Sequence, residues 1–216
     1  MKIYDFPLSP NCRKVRAIVY ELGLKPEFVP VHLFKGEQRE RAIAALNPNT
    51  KVPILVDGDF VLWESNAIAA YLADGTALLP ASRRERAEVD RWASWQLAHI
   101  GPAIAKVAFE RVVKPMTGRG EPDAQLVGEG VADYARFAAV LDASLGDKDY
   151  VAGRLSIADF ILASMFSIGT TAGLETAPYP RLDAWLRRLL ARDSMKRALA
   201  DAQAAMPSDR AKAAVA

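Results

Sequence analysis

The chain has a single cysteine in 216 residues. It can therefore close no internal disulfide, and no cluster of residues has the spacing of a structural zinc site. Charge of one sign is also missing: 28 Lys and Arg stand against 26 Asp and Glu, a formal net charge of +2. No basic stripe with interleaved aromatics stands out, which argues against a nucleic-acid partner. No apolar run is long enough to span a bilayer, and Met1-Lys2-Ile3 leads directly into a strand pattern without a signal-peptide layout. The expectation is a protein of the reducing cytoplasm with no metal and no membrane partner. No internal repeat is found. The hydrophobic share of 51% suffices for one large or two modest domains.

What is there begins at Leu8-Ser9-Pro10-Asn11-Cys12-Arg13. This stretch follows the short apolar run Lys2–Phe6 and opens a helical pattern through Val15, Ile18, Val19 and Leu22. It has the pattern of a strand, a tight loop and a helix N-terminus, with Ser9 suited to the N-cap and Pro10 to the first helical position. Free N–H groups and the macrodipole at such a terminus stabilise a thiolate or another anion, and a hydroxyl there can donate to a bound thiolate. An ordinary capped helix is the alternative. Further on, Asn47-Pro48-Asn49-Thr50-Lys51-Val52-Pro53-Ile54-Leu55 precedes Asp57-Gly58, a hairpin signal between two apolar runs. Pro53 falls at the start of a strand, where a cis bond is one way to accommodate it. Glu64-Ser65 then opens an alanine-rich helical run that Ser65 can cap, giving a second anion site.

Strand and helix alternate in the first part and then give way to a hairpin and a helix, which predicts a mixed sheet covered by helices. Gly75 to Arg83 breaks the pattern, and after it almost everything is helical. A long helix is predicted from about Arg84 toward Val113, kinked at Gly101-Pro102. Another is predicted over Ala124–Leu145, a third after Ser156 and a fourth after Pro180. The segment Ser156-Ile157-Ala158-Asp159 after Gly153 resembles a capping box, with a structural role in which Ser156→Ala or Asp159→Ala costs roughly 1 kcal/mol or somewhat more.

Four segments carry a family resemblance by their order and separation: Ser9-Pro10-Asn11-Cys12-Arg13, Asn47-Pro48-x-x-Lys51-Val52-Pro53, Glu64-Ser65 and Gly153-x-x-Ser156-x-Ala158-Asp159. Over nearly its whole length the chain resembles the cytosolic glutathione transferases, of the bacterial, serine-type, theta/phi/nu-like kind. The resemblance implies an α/β plus all-α fold: a thioredoxin-like glutathione-binding domain over residues 1–76 with a mixed four-stranded sheet, a linker at 77–83, an all-helical domain at 84–205 and a flexible tail at 206–216. It also implies a homodimer and a hydrophobic electrophilic small molecule as second substrate.

Glutathione is the cosubstrate so implied. Its thiol is mostly protonated at neutral pH and its thiolate is the nucleophile. Ser9 matches the catalytic serine of serine-type members, and Asn11 is a second donor by likeness to bacterial members with a Thr-Pro-Asn-Gly loop. Ser65 suits the γ-glutamyl carboxylate and Glu64 its ammonium. Val52 would pair with the cysteinyl unit, held by a cis Pro53, and Lys51 would meet the glycyl carboxylate together with Gln38. Phe6, Leu8, His99 and Phe109 are candidates for the electrophile pocket. The Ser-Ser-Cys-Ser pattern of the maleylacetoacetate isomerase branch is absent, so that isomerisation is not expected.

Conjugation, dehalogenation and peroxide reduction all use the same thiolate. Two other functions stay open at this point. One is a non-catalytic binding or regulatory relative. The other is a glutathione-dependent thiol-disulfide oxidoreductase working through Cys12. Against the latter, the attacking cysteine of the Cys-Pro-x-Cys redox motif is here Ser9, and Cys12 lies one helical turn inward.

Overall fold

The structure is a computed structural model that describes residues 1–206; from residue 207 onward the expected tail at 206–216 lies outside the described residues. Contacts divide the chain into two units, Met1–Asp74 joined by the chain from Ala191, and Gly75–Leu190.

The first unit is built from β1 (Lys2–Asp5), α1 (Pro10–Glu21), β2 (Glu27–Pro30), two short 3-10 turns (Leu33–Lys35 and Glu37–Arg39), α2 (Arg41–Leu46), β3 (Ile54–Asp57), β4 (Phe60–Trp63) and α3 (Ser65–Ala73). Its four-stranded sheet has the order β2-β1-β3-β4. β1 is parallel to β2, and the other two pairs are antiparallel. This is the mixed sheet that the alternation predicts, with the four strands of the thioredoxin-like domain that the resemblance implies. Asp57 pairs with Phe60, so the hairpin turns on two residues, and the first of them, Gly58, takes φ +63°. The hairpin falls where Asp57-Gly58 announces it, with Asp57 closing β3 and Gly58-Asp59 forming the turn. α1 buries Cys12, Val15, Ala17, Ile18 and Val19, and it stops before Gly23, whose φ of +67° ends the helix in a left-handed step.

In the second unit, Arg83 to Thr117 is helical throughout: α4 (Arg83–Trp95), a π-helical turn (Gln96–Ile100), α5 (Gly101–Ala108), a second π-helical turn (Phe109–Val113) and α6 (Lys114–Thr117). The kink predicted at Gly101-Pro102 takes the form of the first π turn. Pro102 cannot donate to the ladder, and widening the preceding turn accommodates it. The wide turn brings the Gln96 carbonyl so close that a Cβ on residue 101 would stand 2.4 Å from it, so only glycine fits. α7 (Ala124–Leu145) is capped by Asp123, whose carboxylate accepts from the N–H groups of Gln125 and Leu126. α8 (Ile157–Thr171) is buried along nearly all its length, with Phe160 and Phe166 in the core. A helix apolar all round is one that neighbours enclose. α9 (Pro180–Leu190) adds Trp185, which is 1% exposed. The segment read as a linker is folded into this unit: Leu78, Leu79 and Pro80 are buried, and the Leu78 carbonyl accepts from the Ile157 N–H at 3.0 Å. Among the described residues no helix is long and apolar enough to cross a membrane.

Beyond α9 the chain returns to the first unit. α10 (Asp193–Ala204) packs on α1. Arg16 of α1 bonds Asp5 on one side and Asp201 of α10 on the other, the latter at 2.7 Å. Tyr20 also donates to Asp201, while Arg192 and Ser194 both donate to Glu21. The expected helical span of 84–205 therefore does not coincide with the second unit at that end. Residues 193–204 look like any amphipathic helix in sequence, and the ion pairs that choose their neighbour are non-local.

Candidate active site

The site builds up from the turn that joins β1 to α1. The Ser9 N–H donates to the Phe6 carbonyl at 2.8 Å, and the Ser9 carbonyl accepts from Arg13 at 2.9 Å, which sets Ser9 as the residue before the helix. Its side chain, however, makes no capping hydrogen bond. Ser9 is half-buried, and its hydroxyl meets the Cys12 side chain rather than the backbone N–H groups of the first turn. Asn11, two residues on, accepts from the Ser65 hydroxyl across a long 3.4 Å contact. The two helix starts singled out from sequence, at Ser9 and at Ser65, are thereby brought side by side.

The Ser65 end is strained. Glu64 takes φ +72° and ψ +110°, a conformation that costs a non-glycine residue about 1–3 kcal/mol. Its carbonyl accepts from Ile68 at 2.9 Å as the first bond of α3, and its side chain is exposed. Ser65 itself is 7% exposed. Strain of this kind is held where geometry matters, and here it turns the Glu64 side chain outward while Ser65 turns in toward Asn11.

The third wall is the segment before β3. The Val52-Pro53 bond is cis, as the resemblance implies. Val52 lies two residues ahead of the β1–β3 ladder, and its side chain packs against Phe6, Cys12 and Val31. The approach to it is held by Asn47, whose side-chain amide donates to the Lys51 carbonyl at 2.8 Å and whose oxygen accepts from Asn49. Lys51 is exposed with its cation in solvent. Gln38 lies on the second 3-10 turn, and its Oε1 is buried with no hydrogen-bond partner among the described residues. A buried acceptor in that state costs free energy unless a donor reaches it, which distinguishes Gln38 from an ordinary solvated glutamine.

Cys12 is fully buried, accepts from the Phe6 N–H through its sulfur at 3.3 Å, and has its thiol pushed up to about 12 by burial; the neighbouring Asp5 adds to this, and the Phe6 N–H and the Ser9 hydroxyl offset a part of it. Such a thiol is neutral near pH 7 and out of reach of an external disulfide, so it is a small core residue. Cys12→Ser is expected to leave turnover with glutathione unchanged in a steady-state assay. A variant that folds and loses turnover would return the redox reading.

Of the four candidates for the electrophile pocket, Phe6 is 6% exposed and stacks edge-on against Phe34 at 5.2 Å, which makes it part of the core under the site. Leu8 is half-buried against the same cluster. In the second unit, His99 is exposed on the first π turn with its ring against Phe137, and Phe109 is 39% exposed on the second π turn.

Lys14 escaped the sequence reading. It is 1% exposed, and its Nζ donates to Asn66 Oδ1 of α3 at 2.7 Å. A lysine in a helix is ordinarily a solvated charge. The signal was its place four residues before Ile18, on the apolar stripe.

A thioredoxin-like unit with a hydroxyl where a redox protein has its attacking thiol, followed in the chain by a helical unit, defines a protein of the glutathione-transferase type. The sequence models of the "Glutathione S-transferase, N-terminal domain" and the "Glutathione S-transferase, C-terminal domain" match residues 3–77 and 100–193. Glutathione S-transferase 3 of Zea mays is 34% identical over 209 residues, spanning 93% of both chains. Among solved structures, glutathione transferase F7 from Populus trichocarpa superposes with a TM-score of 0.86 at 28% identity, covering 93% of this chain and 98% of its own. A glutathione transferase family member from Pseudomonas fluorescens, solved with two glutathione bound, gives 0.81 at 28% identity over 92% of this chain and 91% of its own. The chain belongs to the glutathione S-transferase family, and it is a glutathione transferase enzyme.

Proposed function

We propose that Ser9 is the catalytic residue: its hydroxyl donates to the sulfur of bound glutathione and holds it as the thiolate for attack on a hydrophobic electrophile. The observation that carries this reading is the half-buried Ser9 hydroxyl at the start of α1, which makes no capping hydrogen bond. The thiol loses its proton to solvent, the sulfur lone pair forms the bond to the electrophile, and a leaving group departs or a proton is taken up, so the balance needs no other reactant. Free N–H groups at the start of α1 favour the same charge, and the Asn11 amide is a second donor. A peroxide oxygen accepts the same thiolate, giving the sulfenic acid of glutathione and an alcohol, and a second glutathione then converts the sulfenic acid to the disulfide and water, so peroxide reduction is a companion activity that consumes two glutathione molecules.

Around the sulfur, the Ser65 hydroxyl and the N–H groups that open α3 receive the γ-glutamyl carboxylate, and the exposed Glu64 meets the ammonium. Val52 pairs its main chain with the cysteinyl unit. Gln38 and Lys51 hold the glycyl end, where the partnerless Gln38 Oε1 suits a peptide N–H. The relative solved with two glutathione bound supports glutathione as the ligand. The homodimer implied by the family resemblance belongs to the same reading.

The test is a pH titration of the bound thiol, followed by thiolate ultraviolet absorbance. Bound glutathione is expected to ionise well below the free thiol value of ~8.5. Binding with an unshifted thiol would remove the mechanism and leave a glutathione carrier. Failure to bind would overturn the glutathione site altogether.

A further inference from the structure

We infer that Lys14 is a positioning residue for the glutathione site: its buried ammonium holds Asn66, the second residue of α3, and thereby sets the start of that helix to receive the γ-glutamyl carboxylate. This rests on the glutathione site proposed above.

Lysine is rarely buried, and taking an ammonium out of water costs several kcal/mol unless its donors and charge are matched. Lys14 is 1% exposed, yet its hydrogen bond goes to a neutral amide, Asn66 Oδ1 at 2.7 Å. The cation also stands in the first half of α1, near the positive end of the helix dipole, and the first turn contains no acidic residue. Arg13, beside it, is buried as well. A fold that wanted only a strut between α1 and α3 would be served by an apolar side chain of the same length. A buried cation between two helix starts is instead suited to an anion that arrives with the ligand.

The charged surroundings leave that role open. Lys14 interacts electrostatically with Cys12 on its own helix, which stays a neutral thiol near pH 7, and with the exposed Glu64 at the start of α3. Asp5 and α10's Asp201 are both engaged by Arg16, which is two residues further along α1 and so points away from Lys14. Just before α10, Arg192 is spent on Glu21, and on α10 Arg197 lies over Tyr20. Burial pulls the Lys14 ammonium down to about 7, with Cys12 and Glu64 working against the fall. An incoming carboxylate raises it again, so binding is accompanied by proton uptake above neutrality. Affinity then falls as pH rises through that range.

The probe is S-methylglutathione, whose sulfur cannot ionise. Its dissociation constant is measured from about pH 6 to 8.5 for wild type, Lys14→Met and Lys14→Arg, and comparing the proteins cancels any titration of the ligand's own amine. Lys14→Met is expected to bind roughly tenfold more weakly at the acid end and to converge on wild type at the alkaline end. Lys14→Arg keeps its charge and should hold acid-end affinity with a flattened pH slope. A merely structural lysine would change melting temperature and leave those slopes alone. Lys14→Met matching wild type at every pH overturns the inference. If Lys14→Met does not fold, a wild-type slope in Lys14→Arg overturns it. Wild type that fails to bind S-methylglutathione takes down the glutathione site itself, whereas binding without any lysine effect takes down only the role of Lys14.

Discussion

Replacing Ser9 by alanine is expected to raise the pKa of bound glutathione by roughly 1–2 units, since a hydrogen bond to a charged group contributes about 1.5–3 kcal/mol and one unit is about 1.4 kcal/mol. The thiolate fraction at pH 6.5 then falls by up to about 10- to 100-fold, the full factor applying when the wild-type value lies above that pH. Part of that loss is returned, because a thiolate of higher pKa is intrinsically the better nucleophile, with a Brønsted slope of about 0.4–0.5. The net effect from ionisation is about half on the logarithmic scale, and the loss of orientation adds to it. kcat/KM near pH 6.5 is therefore expected to fall about tenfold or more, and the deficit should shrink as pH passes the free thiol value. A deficit equal at all pH values would mean that Ser9 orients the sulfur without ionising it. Unchanged kcat/KM at low pH would remove Ser9 from the mechanism. Stability supplies a control, because the Ser9 side chain does not cap α1. Ser9→Ala should stay within about 0.5 kcal/mol of wild type in denaturant unfolding, where loss of a true N-cap costs about 0.5–2 kcal/mol.

What the sequence revealed and what it hid divide along local and non-local physics. The hairpin at Asp57-Gly58, the proline that opens α1 and the cis bond before Pro53 are local choices with few solutions, and each stands where the residues put it. Ser9 and Ser65 were visible as separate helix starts, but nothing local says that Asn11 and Ser65 meet across 54 positions. Lys14 was hidden for a related reason: its partner Asn66 is 52 positions away, and a lysine on an apolar stripe looks like a side chain that bends out to water. Glu64 was assigned by resemblance, yet its left-handed backbone could not be read from a residue type that rarely adopts it. The π turns at Gln96–Ile100 and Phe109–Val113 share the apolar pattern of an α-helix, and only Gly101 marks the first of them, through the crowding a Cβ would meet.

Asp159→Ala is expected to destabilise the second unit by about 4 kcal/mol, well above the roughly 1 kcal/mol that an exposed cap is worth. The capping-box geometry read from the sequence is present, but the carboxylate does more than close it. Oδ2 accepts from the Ser156 N–H at 3.0 Å and the Ser156 hydroxyl at 3.2 Å, while Oδ1 accepts from the Val151 N–H at 3.0 Å and from Trp185 Nε1 at 2.9 Å. Asp159, Ser156 and Trp185 are each no more than 1% exposed. Alanine leaves those donors in a dry interior with a cavity beside them, at about 1–3 kcal/mol for each donor left unsatisfied, less whatever the site recovers by collapse. Burial raises the Asp159 pKa and the four donors pull it back, so the carboxylate is costly to bury and depends on every one of them. Ser156→Ala removes a single donor and should cost about 1 kcal/mol, and Trp185→Phe a similar amount beyond its change in packing. For a chain of this size 4 kcal/mol corresponds to a melting temperature lower by roughly 8–16 °C. Calorimetry on the three single variants and the Asp159→Ala/Trp185→Phe double tests this directly. The double variant should cost less than the sum of its parts, because alanine at 159 has already deprived the indole of its acceptor. Additive losses, or an Asp159→Ala cost no larger than that of Ser156→Ala, would reduce Asp159 to an ordinary cap. Well below the new midpoint the folded variant should turn over like wild type, since no atom of this network lies among Ser9, Val52 and Ser65.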